Sequence, residues 1–371
     1  MRRDQSIQVA CGPGEIRVAV TCDGNLCDYA LSRPGSPDGA GDIFQARVCS
    51  VVPVMAGAFL ELGNSVSDGF LPDSEGGKGL TVGSIVTVRV TRAALGGKGP
   101  RLTARDVAAQ DGPVGLRARG PDPLRELAAR YPEAKLRVDD ALLAASLRAD
   151  LGERVERVAV AFDDMIESEL EQLTAPEITL GSGARLSFYP TPALVAIDVD
   201  AGHALAGKEA AARWHRALNS DLLPELARQI RLRDLSGAIV VDLAGLKPRQ
   251  RVSLGPAIAS ALACDPLRPR FLGFTALGLA EITRPRIRPP LHEKLSGPLA
   301  AGLRGLREIA HAVRSDPGRR VALRAAPNVV AALDTDRVGL DELARILGQG
   351  LKLRSDPSLP GEVWRIEAVD G

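Results

Sequence analysis

The sequence predicts an α/β protein that carries a small inserted β-barrel and an α+β region near its C-terminal end. Two β-branched runs, at residues 193–200 and 237–243, are typical of buried strands, and each contains an aspartate near its end. The stretch between them is rich in Ala, Arg and Leu and predicts a helix. Further short strand patterns with Gly-rich turns, between residues 42 and 105, have the size and rhythm of a closed barrel of the OB type.

The two aspartate-containing strands and the helix between them form a βαβ unit, whose strands normally run parallel with a right-handed crossover. The carboxyl ends of both strands then meet at one edge of the sheet, where ligands bind in α/β proteins. At a strand spacing of about 4.8 Å, Asp198 and Asp242 reach one hard cation, because Mg²⁺ lies about 2.1 Å from each ligand oxygen. We therefore predict a magnesium site that acts on phosphodiesters. The alternative is that each aspartate is a helix N-cap or a turn former.

Length and composition set further limits. The 371 residues exceed an average domain, so we expect a main domain with one or two smaller ones. Apolar residues make up 45% of the chain but aromatic residues only 3%, so the cores must consist mainly of aliphatic side chains. A net charge of +1 argues against non-specific binding of nucleic acid by the whole chain and leaves local basic patches open.

The five cysteines, Cys11, Cys22, Cys27, Cys49 and Cys264, are odd in number and form no CxxC pair. They indicate free thiols in a reducing compartment and offer neither a disulfide framework nor a zinc site. The N-terminus lacks an apolar signal region, and no run of 18 apolar residues occurs. We therefore expect a cytoplasmic protein without membrane contact.

Turn-rich breaks divide the chain into predicted regions. Strand, helix, strand, helix and strand, placed beside an antiparallel N-terminal meander, are typical of a ribonuclease-H-like catalytic layer. The predicted regions are the N-terminal strands of that layer at 1–38, the barrel at 39–108, a linker with helices at 109–180, the catalytic core at 181–296 and a small α+β domain at 297–371.

The predicted barrel contains two aromatic side chains, Phe59 and Phe70, and a cation, Lys98, in a Gly-rich turn. A barrel face of this kind binds single-stranded nucleic acid, and each stacked base contributes about 1–3 kcal/mol. The alternative is that both rings fill the barrel core. The barrel residues by themselves leave both interpretations open.

Taken together, these residues resemble the ribonuclease E/G family of bacterial endoribonucleases. The run that ends at Asp242 is the most specific part of the resemblance, since barrels of this type occur in many RNA-binding proteins. The resemblance covers most of the chain with one large gap, and it is carried by residues 58–63, 69–72, 194–200, 227–237, 239–242 and 278–286 together with Asn219.

The resemblance implies an S1 barrel inserted into a ribonuclease-H-like domain that hydrolyses single-stranded RNA with Mg²⁺ as cofactor. It implies metal binding by Asp198 and Asp242, and RNA contacts by Phe59, Phe70 and Lys98. Arginines of the catalytic region are candidates for contacts with the RNA backbone, because guanidinium groups bind phosphate. These are Arg228, Arg231, Arg233 and Arg284, and the alternative for each is a solvated or ion-paired helix face.

The sequence departs from the family at four points. Asp200 stands where the family has Asn, and this third candidate catalytic carboxylate either binds metal or lies unpaired. Residues 244–245 replace a further acidic residue. The segment after the barrel is too short for the family's sensor of a 5′-monophosphate. The Cys-x-x-Cys of its zinc-linked dimers is missing beyond Arg288, which leaves other homo-oligomers open.

We therefore predict a Mg²⁺-dependent endoribonuclease of single-stranded RNA. The alternative, of a different class, is an RNA-binding protein of the same family with weak or lost cleavage. A third hypothesis is a nuclease that acts on DNA. His203 follows the first aspartate, and we leave it out of the predicted site because a loop histidine is commonly incidental.

Overall fold

The computed structural model describes residues 4–63, 67–181, 183–200, 222–243, 248–316 and 320–369. The chain forms two compact units. The first consists of Met1–Pro37, Asp122–Thr174 and Leu291–Gly371, and the second of Asp38–Pro121 and Ala175–Pro290. Within the described residues, no helix has both the length and the apolar character needed to cross a membrane.

The elements are numbered in chain order. The strands are β1 Gln5–Gly12, β2 Glu15–Cys22, β3 Asn25–Ser32, β4 Ile43–Val52, β5 Gly57–Glu61, β6 Gly69–Pro72, β7 Ile85–Arg92, β8 Arg101–Thr103, β9 Gly115–Ala118, β10 Lys135–Val138, β11 Val155–Arg157, β12 Glu177–Thr179, β13 Arg185–Pro190, β14 Val195–Asp200, β15 Gly237–Leu243, β16 Arg270–Phe274, β17 Ala280–Arg284, β18 Val321–Ala325, β19 Lys352–Ser355 and β20 Trp364–Ala368. The helices are α1 Pro123–Arg130, α2 Ala141–Leu151, α3 Asp164–Thr174, α4 Leu223–Leu232, α5 Pro248–Ser253, α6 Gly255–Leu262, α7 Leu291–Lys294, α8 Pro298–Ser315, α9 Pro327–Thr335 and α10 Val338–Leu347.

In the first unit the N-terminal meander forms a sheet of its own, in the order β11-β10-β1-β2-β3. The antiparallel meander is as predicted, but its expected place beside the aspartate-containing strands is wrong, because β1 pairs with β10 instead. The reason is a separate core, in which Ile7, Val18 and Val20 pack with Leu124 of α1 and Leu147 of α2.

The C-terminal elements of this unit pack around a second core. Helices α8, α9 and α10 share it with the three-stranded sheet β19-β18-β20. Leu306 of α8, Leu333 of α9 and Leu323 of β18 lie fully buried there. Both helices and strands occur here, and the prediction that residues 297–371 form a small domain of their own stays a prediction.

The second unit contains the predicted barrel. Strands β5, β6, β8, β7 and β4 pair in this order, and pairing between β4 and β5 closes the barrel, while β9 extends it beside β4. Its core is almost entirely aliphatic, as the low aromatic content of the chain requires, with Val48, Leu60, Leu71, Val88 and Leu102 inside. A closed five-stranded barrel of the OB type is therefore present.

The aspartate-containing strands lie in a sheet of the order β12-β13-β14-β15-β17-β16. Strands β14 and β15 are parallel, as the βαβ pattern predicts. One face is covered by helices: Leu226 and Ile230 of α4 and Ile258 of α6 share a core with Ile197 and Val241. The other residues of the predicted crossover helix, together with His203, Asn219 and residues 244–245, lie outside the described residues.

A buried carboxylate stabilises the first unit. Glu15 of β2 is only 3% exposed and accepts hydrogen bonds from Arg33 and from Arg307 of α8, each at 2.8 Å. The backbone N–H of Gly14 donates to Glu342 of α10 at 2.7 Å. Glu15 therefore compensates two guanidinium groups at once and joins the meander to the C-terminal elements.

We expect Glu15→Gln to lower the free energy of unfolding by about 3 kcal/mol, because both guanidinium groups lose their charged partner in a poorly solvated place. The matched control is Glu156→Gln, since Glu156 pairs with Arg137 on the surface. It should cost no more than about 0.5 kcal/mol. Urea unfolding followed by circular dichroism checks both values, and equal costs would contradict the structural role of Glu15.

Candidate functional site

The two predicted metal ligands face each other across neighbouring strands. Asp198 of β14 is the register partner of Asp242 of β15. Residues on either side of Asp198, Ile197 and Val199, point into the core, so the pleat turns both carboxylates to the opposite, open face of the sheet. Residues in register on adjacent strands lie about 4.8 Å apart, so the structure brings these two aspartates together as predicted.

The two carboxylates differ in their surroundings. Asp242 accepts a hydrogen bond from Arg251 of α5 at 3.0 Å, and the same nitrogen of Arg251 donates to the carbonyl of Gly278 at 2.8 Å. Asp198 is exposed and, among the described residues, has no hydrogen bond or salt bridge. Arg251 therefore fixes one carboxylate beside the 275–279 turn and leaves the other open.

The third candidate carboxylate is held by an arginine. Asp200 lies on the same open face and accepts from Arg185, its register partner on β13. Arg185 also pairs with Glu177 of β12 at 3.5 Å, and Ser187 donates to Glu177 at 3.2 Å. The hydrogen bond to Asp200 and the negative charges of Glu177 and Asp200 raise the pKa of Arg185. Of the two interpretations of Asp200, the structure therefore excludes an unpaired one.

The donor set on this face fits Mg²⁺. Mg²⁺ prefers oxygen ligands, keeps several waters and is commonly held by one or two carboxylates. Asp198 and Asp242 provide two such carboxylates in register, and about half of the Asp242 side-chain surface is exposed to solvent. No group of three or more His, Cys, Asp or Glu side chains that could hold a metal ion occurs within the described residues.

The barrel rings lie on the outer surface of the barrel. Phe59 of β5 and Phe70 of β6 are register partners with ring centroids 5.3 Å apart, and neither belongs to the barrel core. The interpretation that they fill the core is therefore wrong. Gly57 lies under Phe70, and an added Cβ there would come within 2.6 Å of the ring. Lys98 is exposed in the turn between β7 and β8.

Two of the candidate phosphate-binding arginines, Arg233 after α4 and Arg284 in β17, are buried. Arg233 donates to Gln229 and to the carbonyl of Ala175, and its guanidinium lies over the ring of Phe188 at 4.0 Å. Burial lowers the pKa of Arg233 to about 10, so the group remains charged at neutral pH. Its predicted contact with RNA is corrected to a structural role, because Arg233 is only 6% exposed and its guanidinium is engaged by Gln229, Ala175 and Phe188.

Arg284 is buried in the same way. It donates to Asp265 at 2.7 Å and also to Asp234, and both it and Asp265 are 3% exposed. The carboxylates outweigh the cost of burial and raise the pKa of Arg284. Its predicted phosphate contact is therefore also corrected to a structural one. Arg228 pairs with Glu225 at 2.8 Å, as the ion-paired alternative states, while the contact predicted for Arg231 stays a prediction.

Sequence reasoning missed the residues that surround the aspartates. Arg251 gave no signal beyond its place in an amphipathic helix after β15, and its contact with Asp242 depends on the path of the chain. Glu177 and Ser187 belong to a row that crosses four strands through Asp198 to Asp242. The two-residue alternation of β13 could have placed Ser187 on the open face, but not opposite Asp198.

We expect Arg284→Gln to lower the free energy of unfolding by about 3 kcal/mol or more, because Asp265 would stay buried without its partner. The control Arg47→Gln, in a surface pair with Glu61, should cost about 0.5 kcal/mol or less. Denaturant unfolding measures both variants. If the Arg284→Gln protein is as stable as the unmodified protein but binds RNA more weakly, that result would support the predicted phosphate contact of Arg284.

Part of the chain is similar in sequence to known proteins. The model of the Ribonuclease E/G family matches residues 137–287. The chain is 34% identical over 131 residues to Ribonuclease E of Escherichia coli (strain K12), which covers 34% of this chain and 12% of that protein. It is 28% identical over 219 residues to Ribonuclease G of the same strain, covering 52% of this chain and 42% of that protein.

A further relative is Ribonuclease E of Nostoc sp., which is 34% identical over 133 residues, corresponding to 34% of this chain and 19% of that protein. The chain thus spans less than half of the length of each of these relatives. The match to the family includes β14, which contains Asp198, and β15, which contains Asp242. On these matches, residues 137–287 of the chain are similar to the ribonuclease E/G family.

Proposed function

We propose that this protein is an endoribonuclease that cleaves single-stranded RNA with Mg²⁺ held by Asp198 and Asp242. The observation that supports this most is the register between the two aspartates on the open face of the sheet. The relatives named Ribonuclease E and Ribonuclease G supply the reaction class. The half-buried rings on the barrel surface supply a place for the bases.

The side chains around the aspartates have separate roles in this proposal. When bound, Mg²⁺ would supply activation of the attacking water and stabilisation of charge on the scissile phosphate. Arg251 holds the Asp242 carboxylate at the carboxyl end of β15 through its bond to Gly278. The Asp198 side chain can turn toward the metal ion, because no described residue pairs with it.

Asp200 acts as a positioning residue in this proposal rather than as a metal ligand. Arg185 compensates its charge and links it to Glu177, so the extra carboxylate does not add an unpaired charge beside Asp198. An Asn at this position would keep an oxygen acceptor for Arg185 and lose the ion pair. The family pattern and the present sequence are thus compatible with the same placement of Asp198.

The barrel would hold the RNA strand by stacking. Two outward rings 5.3 Å apart provide π-faces that any base can use, and exposed Lys98 supplies a charge for the backbone. Because stacking is tolerant of sequence, we expect little base preference from the barrel itself. The barrel would place the RNA strand at the aspartates, and the aspartates themselves would not select its base sequence.

Asp198→Asn and Asp242→Asn should each lower the rate of Mg²⁺-dependent cleavage of a short A/U-rich RNA by about 100-fold or more, because each removes a charged oxygen ligand. RNA binding should be retained. Asp111→Asn, at an exposed position of the same unit, is the control and should cleave normally. No cleavage by the unmodified protein with RNA binding intact would favour the RNA-binding alternative, and preference for DNA of the same sequence would favour the DNA-directed one.

Asp200→Asn should change the same rate by less than about tenfold, because it leaves both proposed metal ligands in place and only removes the charge opposite Arg185. The comparison with Asp198→Asn in one assay is the measurement. A loss as large as that of Asp198→Asn would show that Asp200 is itself a ligand or a reacting group.

Cleavage should differ little between RNA with a 5′-monophosphate and RNA with a 5′-hydroxyl. Strand β9 ends at Ala118 and α1 begins at Pro123, so the connection after the barrel has no room for a separate sensor domain. Initial rates on the two substrates are to be compared at equal concentration. A ratio of about tenfold, equal to about 1.4 kcal/mol in the barrier, would contradict this expectation.

A further inference from the structure

A single row of residues crosses the barrel surface from the stacked rings to two arginines. Phe59 pairs with Phe70, Phe70 is the register partner of Arg101 in β8, and Arg101 is the register partner of Arg92 in β7. Residues in register on adjacent strands project to the same face of a sheet. The row therefore presents two aromatic rings followed by two guanidinium groups.

The row lies on the outside of the barrel. The residues that follow its first three members along their strands, Leu60, Leu71 and Leu102, are fully buried in the barrel core. Since side chains alternate along a strand, Phe59, Phe70 and Arg101 point outward. Arg101 is exposed and Arg92 is half-buried.

A third arginine lies next to the end of this row. The backbone N–H of Ala93, directly after Arg92, donates to the carbonyl of Ile287 at 2.8 Å. This bond brings the segment that contains Arg286 against the barrel, within the same compact unit. Burial lowers the pKa of Arg92, and the positive charges of Arg101 and Arg286 lower it further.

These three guanidinium groups lack the acidic partners that other arginines of this unit have. Arg119, Arg251 and Arg288 each form a salt bridge with an aspartate. Among the described residues, neither Arg92 nor Arg101 nor Arg286 has a carboxylate within salt-bridge distance. Three neighbouring positive charges repel one another, and a polyanion compensates them when it binds.

We propose that Arg101, Arg92 and Arg286 form a phosphate-binding tract that leads an RNA strand from the barrel rings to the aspartate-containing sheet. This inference rests on the proposed function and names the path of its substrate. Arg286 follows β17, whose Arg284 pairs with Gly237 at the amino end of β15, while Asp242 lies at the carboxyl end. Five residues of strand separate the two ends by about 17 Å.

The path determines which RNA lengths and sequences contact the tract. An RNA strand that reaches both the rings and the aspartates must extend along the whole length of β15. A long RNA therefore contacts the arginine tract, whereas a dinucleotide bound at the aspartates does not. Contacts with phosphates are independent of base identity, so loss of the tract should weaken binding of different sequences equally.

The test is binding of an unstructured RNA of about 16 nucleotides, the upper site size of an OB fold, measured in EDTA so that no cleavage occurs. Arg101→Gln, Arg92→Gln and Arg286→Gln should each weaken binding at least about threefold and reduce the slope of log K against log salt by about 0.7. Arg47→Gln, a barrel arginine with an acidic partner, is the control and should bind normally. Thermal unfolding confirms that each variant is folded.

Cleavage kinetics separate this inference from the proposed function. On the long RNA the tract variants should raise KM about threefold or more with kcat nearly unchanged, and on a dinucleotide they should match the unmodified protein. If the unmodified protein binds RNA but does not cleave it, the proposed function fails, and the binding measurements still test the arginine tract. Normal affinity and an unchanged salt slope in all three variants would overturn the tract, and so would a protein that does not bind RNA.

Discussion

The register between β14 and β15 is the constraint on which the candidate site depends. It places Asp198 opposite Asp242 and turns both away from a core built by Ile197, Val241 and the covering helices. A shift of one residue would turn one carboxylate into that core, where an unpaired charge is strongly unfavourable. The buried aliphatic face therefore determines which side chains meet on the open face.

Charge compensation then distinguishes the carboxylates of the open face. Arg185 compensates Asp200 and Glu177, Arg251 compensates Asp242, and Asp198 has no partner among the described residues. Arg92 and Arg101 of the barrel, and Arg286 beside it, show the opposite arrangement, because none of them has a carboxylate partner among the described residues. A polyanionic strand on the barrel and a divalent cation on the sheet would complement these two surfaces, so the electrostatics of both parts support one substrate class.

Local patterns predicted the parts of the fold that depend on alternation along the chain. The parallel strands, the closed barrel and the C-terminal elements follow from such patterns. The pairing of the N-terminal meander did not, because its partner β10 is only four residues long and lies more than a hundred residues further along the chain. Whether Phe59 and Phe70 face outward likewise depended on which neighbouring residues fill the barrel.

Contacts between residues far apart in the sequence also limited what could be predicted about the candidate site. Asp198 and Asp242 were predictable because each belongs to a strand with a clear pattern. Arg284 was assigned to RNA because Asp265 and Asp234, its partners, lie 19 and 50 residues away in the sequence. Arg251 was missed although Asp242 is only nine residues away, because the sequence pattern of α5 does not show which side chain it faces. Side chains that act through long-range partners require the structure.

Metal binding by the paired aspartates is the central claim, and titration of the protein with Mn²⁺, a spectroscopic substitute for Mg²⁺, tests it most directly. Water-proton relaxation reports the bound ion without any need for cleavage. The unmodified protein should bind one ion, and Asp198→Asn and Asp242→Asn should each weaken that binding at least about tenfold, since a charged oxygen ligand is lost. Equal Mn²⁺ affinity in the unmodified protein and in both variants would contradict the account.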